Sequence, residues 1–178
     1  AGAVEELNKL AAKSGIPVVT TLMGKGAVRD DDPYYMGMIG THGVGSANQA
    51  LAHADALLIA GARAGDRSIK DTGVIARDCT VIHLDIDPAE IGKNMRVDVP
   101  IVGDVKQVLA VLGEKVEPVH CKEWVERVQQ YKREFVPRGA AREDYVAPRS
   151  FIRALSSLLA EDAILTADPG PVSSTPLR

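Results

Sequence analysis

With 178 residues and 46% hydrophobic content, the chain has room for one ordinary domain with a genuine core and little room for two. Its 21 basic and 24 acidic residues leave a net charge of −3, which offers no electrostatic footprint for nucleic acid or an anionic membrane surface. No segment approaches the roughly 18 consecutive apolar residues of a membrane span and no charged-then-apolar leader opens the chain, so a soluble, cytoplasmic protein is expected. Its partner is expected to be a small molecule or another protein surface.

Aromatic residues make up only 4%, so the core must come from Val, Ile, Leu, Ala and Met, which suits parallel strands buried on both faces. Cys79 and Cys121 are far apart and belong to no metal-spacing motif, so both are read as reduced thiols.

In chain order, Val4, Leu7, Leu10 and Ala11 recur at helical spacing, and Gly15 supplies a C-terminal stop. The β-branched run Ile16–Thr21 reads as a buried strand. An acidic turn at Asp30, Asp31, Asp32 and Pro33 follows, then Met36–Gly40, then a helix from about Ser46 to Ala54. Asp55–Ala60, Cys79–Asp85 and Val99–Val102 read as three further strands, the last closed by Gly103-Asp104 and a helix from Val105 to about Leu112. Strands alternating with helices predict a doubly wound parallel α/β sheet.

After Gly113 the character changes. A polar helix carries Trp124, Val125, Val128 and Tyr131 on one stripe, and Pro137 and Pro148 follow. Ser150 is expected to cap a short helix, Phe151–Leu159, that feeds a final strand at Ala163–Ala167 and a turn at Asp168-Pro169-Gly170. The organisation expected is a central α/β domain at 1–113 lacking its first strand, a linker at 114–149, and the start of a further domain at 150–178. The chain therefore reads as a module cut at both ends from a larger enzyme. A missing first strand would leave an open slot in the sheet, which the strand Ala163–Ala167 is a candidate to fill.

Ligands of open α/β sheets bind beyond the carboxyl ends of the strands, so the loops there carry the candidate chemistry. Thr21-Leu22-Met23-Gly24 offers a hydroxyl and backbone groups to a phosphate or ribityl chain, or is an ordinary turn. Gly40-Thr41-His42-Gly43 joins backbone N–H groups to an imidazole, although a lone histidine is more often a surface or capping residue. Gly61–Arg67 sets Arg63, Asp66 and Arg67 directly behind an apolar strand, where an arginine suits a phosphate or a ring edge. The bland alternative is a solvated ion pair. Asp85 and Asp87 end the next strand, placed to accept from ribose hydroxyls or to cap the following turn, and Asp104 repeats the arrangement. No GxGxxG, P-loop, nucleophile elbow or zinc spacing is present. A nucleotide-binding row without a catalyst remains.

The stretches PVVTTLMGKGA (17–27), GMIGTHG (37–43), GARAGDR (61–67) and HLDIDPAEIGKN (83–94) resemble the central domain of the large subunit of acetolactate (acetohydroxyacid) synthase. The likeness runs from about Ala3 to Leu112 and resumes more weakly at Ala147–Gly170. It implies a flavoprotein transferase of the thiamine-diphosphate family. Such an enzyme condenses two pyruvates, or pyruvate with 2-ketobutyrate, in branched-chain amino-acid biosynthesis. It uses thiamine diphosphate and Mg²⁺, and a structural FAD in the central domain.

By matching position, the resemblance assigns FAD contacts to Thr21, Leu22, Ile39, Gly40, Thr41, His42, Gly61, Ala62, Arg63 and Arg67. It assigns further contacts to Asp85, Ile86, Asp87, Glu90, Gly103, Asp104 and Val105. Asp66 and Arg67 correspond to positions near the mouth of the substrate channel. No catalytic or metal-binding residue is implied within this stretch, so the chain alone is expected to be inactive.

Family members usually carry Phe-Asp where this chain has Ala64-Gly65, and commonly Met where it has Thr41. The family's triple-glycine turn for the FAD phosphates would lie upstream of Ala1, so weak or no FAD retention by the chain alone is expected. The resemblance implies as partners the remaining domains of the same enzyme, a homodimeric or homotetrameric assembly and a regulatory small subunit. Related carboligases of the glyoxylate carboligase type, and a free-standing nucleotide-binding or regulatory module, are the alternative readings.

Overall fold

The computed structural model describes residues 2–65, 68–69, 75, 78–118, 122–135, 146–160, 163–164 and 166, without the side chains of 149 and 153. The first helix, α1 (Val4–Ser14), buries Leu10 and Ala11 and ends where Gly15 turns left-handed at φ 68°, its N–H donating to the Ala11 carbonyl. Glycine reaches that conformation without a Cβ penalty, which is why the helix stops there.

Next come β1 (Val18–Thr20) and β2 (Tyr35–Met38), which pair in parallel. Helix α2 (Gly45–Ala52) then leads into β3 (Ala56–Ala60), β4 (Thr80–Asp85) and β5 (Val99–Val102). These three form a parallel sheet in the order β3-β4-β5. Helices α3 (Val105–Lys115), α4 (Lys122–Glu134) and α5 (Pro148–Leu158) follow.

The three-stranded sheet is covered on both faces, and the alternation along its strands sets the two sides. Ala60, Leu84 and Ile101 occupy successive strands in register and pack with Leu7 and Leu10 of α1 and Val105 and Leu109 of α3. On the opposite face, Leu57, Ile59 and Val81 join Met36, Val19 and Ile39 from the β1–β2 region, Ala47, Ala50 and Leu51 of α2, and Val128 and Tyr131 of α4. The doubly wound α/β class expected from the sequence is the one observed, with two parallel ladders sharing a core in place of one continuous sheet.

Several expectations change in detail. Tyr35–Met38 is a strand, which its composition did not announce; pairing with β1 makes it one. The stretch expected to be a linker carries α4, whose Val128 is fully buried in the main core. Helix α5 begins at Pro148 behind Ala147, so Ser150 lies inside it; Pro at the first position presets the helical φ and forgoes an N–H that would be unpaired anyway.

The final strand is not formed at the described residues. Ala163, Ile164 and Thr166 belong to no ladder, and Ile164 is 94% exposed. Ala163 N–H instead turns back to the Ala160 carbonyl, and without a neighbouring edge a β-branched run gains no strand bonds. These described residues therefore fill no slot in the sheet. Asp168-Pro169-Gly170 and Cys121 lie outside the described residues.

Candidate functional site

The described candidate residues lie at or beyond the carboxyl ends of the parallel strands, with Asp85 ending β4 and Val105 opening α3. Backbone bonds extend the ladders into those loops: Ile39 N–H donates to Thr20, Gly61 N–H to Leu84 and Gly103 N–H to Asp85. Gly61, Ile86 and Gly103 thus begin three loops along one rim of the β3-β4-β5 sheet. Thr21 and Ile39 do the same for β1 and β2, and Ile39, Ala62 and Ala64 all pack into the one core cluster.

In the first loop Thr21 Oγ1 accepts from the Gly24 N–H at 3.2 Å, a local turn bond, while Leu22 and Met23 are exposed. In the second, Gly40 takes φ 106° and Gly43 closes a turn on it, its N–H donating to the Gly40 carbonyl. Gly43 admits no side chain, because a Cβ would collide with the Met38 carbonyl oxygen and the backbone of Ile39 and Gly40. Thr41 and His42 stand exposed at the tip.

The third loop carries Arg63. Arg63 is exposed and its guanidinium has no hydrogen bond or ion pair among the described residues. Asp66 and Arg67, expected beside it, lie outside the described residues. Ala64 is buried with φ 46°, a left-handed conformation unusual for a residue with a Cβ. The loop is held by three tethers: Gly61 N–H to the Leu84 carbonyl at 2.8 Å, His83 Nε2 to Ala62 at 3.1 Å, and Asn94 Nδ2 to Arg63 at 2.8 Å.

At the β4 end, Asp85 Oδ1 accepts from the Asp87 N–H at 3.0 Å and Asp87 Oδ1 from the Ala89 N–H at 2.9 Å. Both carboxylates therefore shape the turn, and the second oxygen of each has no partner among the described residues. Glu90 pairs with Lys93 at 2.9 Å. Asp104 caps α3 by accepting from the Gln107 N–H, and Val105 is buried in the core beneath Gly61. Ile86 is exposed.

Sequence spacing missed Asn48, His83 and Asn94, whose side chains reach loop backbone 8, 21 and 31 residues away. Only the fold brings these pairs together.

The donor chemistry fits a dinucleotide better than a metal. A guanidinium without a partner among the described residues matches a phosphate, carboxylates with an oxygen unused by those residues match sugar hydroxyls, and the strand-end position is where such ligands sit. Among the described residues no three His, Cys, Asp or Glu side chains are grouped to hold a metal ion, and no helix is long and apolar enough to cross a membrane.

Residues 1–112 match the family described as "Thiamine pyrophosphate enzyme, central domain". The chain is 41% identical over 178 residues to the probable acetolactate synthase large subunit of Methanocaldococcus jannaschii, covering 95% of this chain and 30% of that protein. It is 45% identical over 177 residues to the acetolactate synthase large subunit of Corynebacterium glutamicum, covering 96% and 28%. An acetolactate synthase of Mycobacterium avium is 52% identical over 112 residues, covering 63% and 18%. The chain thus spans under a third of the length of these relatives. With the match extending over most of a parallel α/β fold, the chain belongs to the thiamine pyrophosphate enzyme central-domain family.

Proposed function

We propose that the chain is the FAD-carrying central part of an acetolactate synthase, which condenses two pyruvates, or pyruvate with 2-ketobutyrate, in branched-chain amino-acid synthesis. The observation that carries this reading is the 41–45% identity to acetolactate synthase large subunits over nearly the whole chain. The rim geometry supports the cofactor assignment. No described residue pairs with the Arg63 guanidinium, whose planar fork of donors suits a phosphate. Asp85 and Asp87 each keep an oxygen for ribose or ribityl hydroxyls, and the Gly40–His42 turn offers backbone and imidazole at the neighbouring loop.

Bound here, FAD would act as a structural group. The residues of this chain bind and orient it, and none stands as an acid, base or nucleophile for the carboligation. Thiamine diphosphate and Mg²⁺ are assigned to the remaining parts of the same enzyme, which assembles as a homodimer or homotetramer with a regulatory small subunit. Asp66 and Arg67 are assigned to the mouth of the substrate channel.

Two measurements test the reading. The chain joined to the remaining domains should purify yellow, with flavin absorbance, and form acetolactate from pyruvate when thiamine diphosphate and Mg²⁺ are supplied. The 178-residue chain alone should form none. Acetolactate from the isolated chain, free of host enzyme, would sink the claim that its chemistry lies elsewhere. A colourless but active joined enzyme would sink the FAD assignment.

A further inference from the structure

Two of the rim loops are gripped by side-chain amides that come from outside them. Asn48, on α2, uses both ends of its amide on one residue: Oδ1 accepts from the Gly40 N–H at 3.0 Å and Nδ2 donates to the Gly40 carbonyl at 3.1 Å. This is the pairing a neighbouring strand would provide, applied to a glycine at φ 106° that no strand reaches. Asn94 donates to the Arg63 carbonyl from 31 residues away, and His83 donates to the adjacent Ala62 carbonyl. Because a carbonyl only accepts, His83 carries its proton on Nε2. Its Nδ1 is buried and has no partner among the described residues.

We infer that Asn48 and Asn94 are positioning residues, which hold Gly40–His42 and Arg63 in the shape that meets the ligand without touching it. The identity of that ligand rests on the proposed FAD reading; the tethers themselves do not. Asn94 and Arg63 are both exposed, so their hydrogen bond competes with water and contributes little to global stability. What it removes is freedom of the Arg63 backbone. That freedom would otherwise be lost when the ligand binds, and fixing it beforehand strengthens binding with no added contact. The conformation of Ala64 adds to the case. A buried left-handed alanine persists only where its surroundings impose it, and the tethers at 61, 62 and 63 stand immediately before it.

The test compares Asn48→Ala, Asn94→Ala and Ser14→Ala in the full chain. Ser14 is a control: its buried hydroxyl donates to the Leu10 carbonyl at 2.7 Å, at the amino end of β1 and away from the rim loops. Three quantities are read: amide hydrogen exchange without ligand, the dissociation constant of added FAD from quenching of its fluorescence, and the thermal midpoint.

Asn48→Ala should speed exchange about tenfold in residues 38–44 only, and Asn94→Ala in residues 61–65 only, because each amide serves one loop. Each should weaken FAD binding by about fivefold or more, through the cost of ordering the loop on binding. Asn48→Asp keeps the acceptor for the Gly40 N–H at the same volume and should recover part of both effects. Ser14→Ala should lower the midpoint at least as far as Asn94→Ala while leaving loop exchange and affinity unchanged.

Unchanged loop exchange in both rim variants overturns the inference. So does an affinity loss that follows the midpoint across all variants, Ser14→Ala included. Should the chain alone bind FAD too weakly to titrate, affinities are read in the chain joined to the remaining domains, where the lack of any flavin binding overturns the cofactor reading. The exchange measurements then decide the positioning claim on their own.

Discussion

The hydroxyls of Thr20 and Tyr35 meet at 2.8 Å across the β1–β2 pair, and both residues are buried. Among the described residues each is the other's only side-chain hydrogen-bond partner, so removing either leaves a buried polar group unpaired. Burial pushes the Tyr35 hydroxyl up from its ordinary pKa, against a smaller lowering by the bond to Thr20. Tyr35→Phe and Thr20→Val should each destabilise by about 1–2 kcal/mol, because an orphaned buried hydroxyl costs more than the net worth of its bond. The double variant should lose clearly less than the sum, as a denaturant-based double-mutant cycle would reveal.

Two glycines should respond in opposite directions to alanine. Gly43 faces backbone atoms of residues 38–40, which cannot move cheaply, so Gly43→Ala should destabilise by about 2–3 kcal/mol and disturb the Gly40–His42 turn. Gly113 lies inside α3 with open space where a Cβ would stand. Gly113→Ala should stabilise by about 0.5–1 kcal/mol through helix propensity and unfolded-state entropy. Urea unfolding of the two variants side by side checks both signs.

Helix α4 contributes to the core. Val128→Ala removes two fully buried methyl groups and should cost about 2 kcal/mol. Val111→Ala, half-exposed on α3, should change stability by no more than about 0.5 kcal/mol. Equal, small effects at the two sites would show that α4 is not packed as described.

Acid sensitivity should be traceable to Asp98. Its carboxylate accepts the Val81 N–H at 2.9 Å and pairs with Arg96 at 2.8 Å. The bond from the Val81 backbone chiefly, with Arg96 adding to it, holds the Asp98 carboxyl below its ordinary pKa against the opposing effect of burial. A depressed folded pKa gives stability that is fully present above the unfolded value and is lost as pH falls through the folded one. Asp98→Asn should therefore flatten the stability curve below about pH 4, where the ordinary aspartate titrates, while the unaltered chain keeps falling. Thermal midpoints taken from neutral to strongly acid pH decide it, and identical acid limbs would rule Asp98 out.

Much of the scaffold was legible because its signals are local. Gly15 ends α1 and Asp104 caps α3 as their chemistry dictates, and Val99–Val102 was bounded correctly from four residues. Tyr35–Met38 was not legible as a strand, since it contains a glycine and no β-branched residue and owes its state to β1. Ala163–Ala167 failed the other way: its described residues have strand composition and no strand to pair with. At the rim, Arg63, Asp85 and Asp87 could be found because they directly follow apolar runs. Asn48 and Asn94 could not, because an amide reveals its target only when the chain has folded around it.

Helix α4 also bears on where the unit of folding ends. The family match stops at residue 112, yet Phe135 lies directly over Gly45 at the start of α2, and Gln129 and Lys132 reach the carbonyls of Pro33 and Asp32. A segment excised at the family boundary would uncover α2, the same helix that carries Asn48. The stretch matched by the family and the packed unit therefore end at different residues. Any shuffling of this piece between proteins would have to carry α4 along as its lid, or evolve a replacement for it.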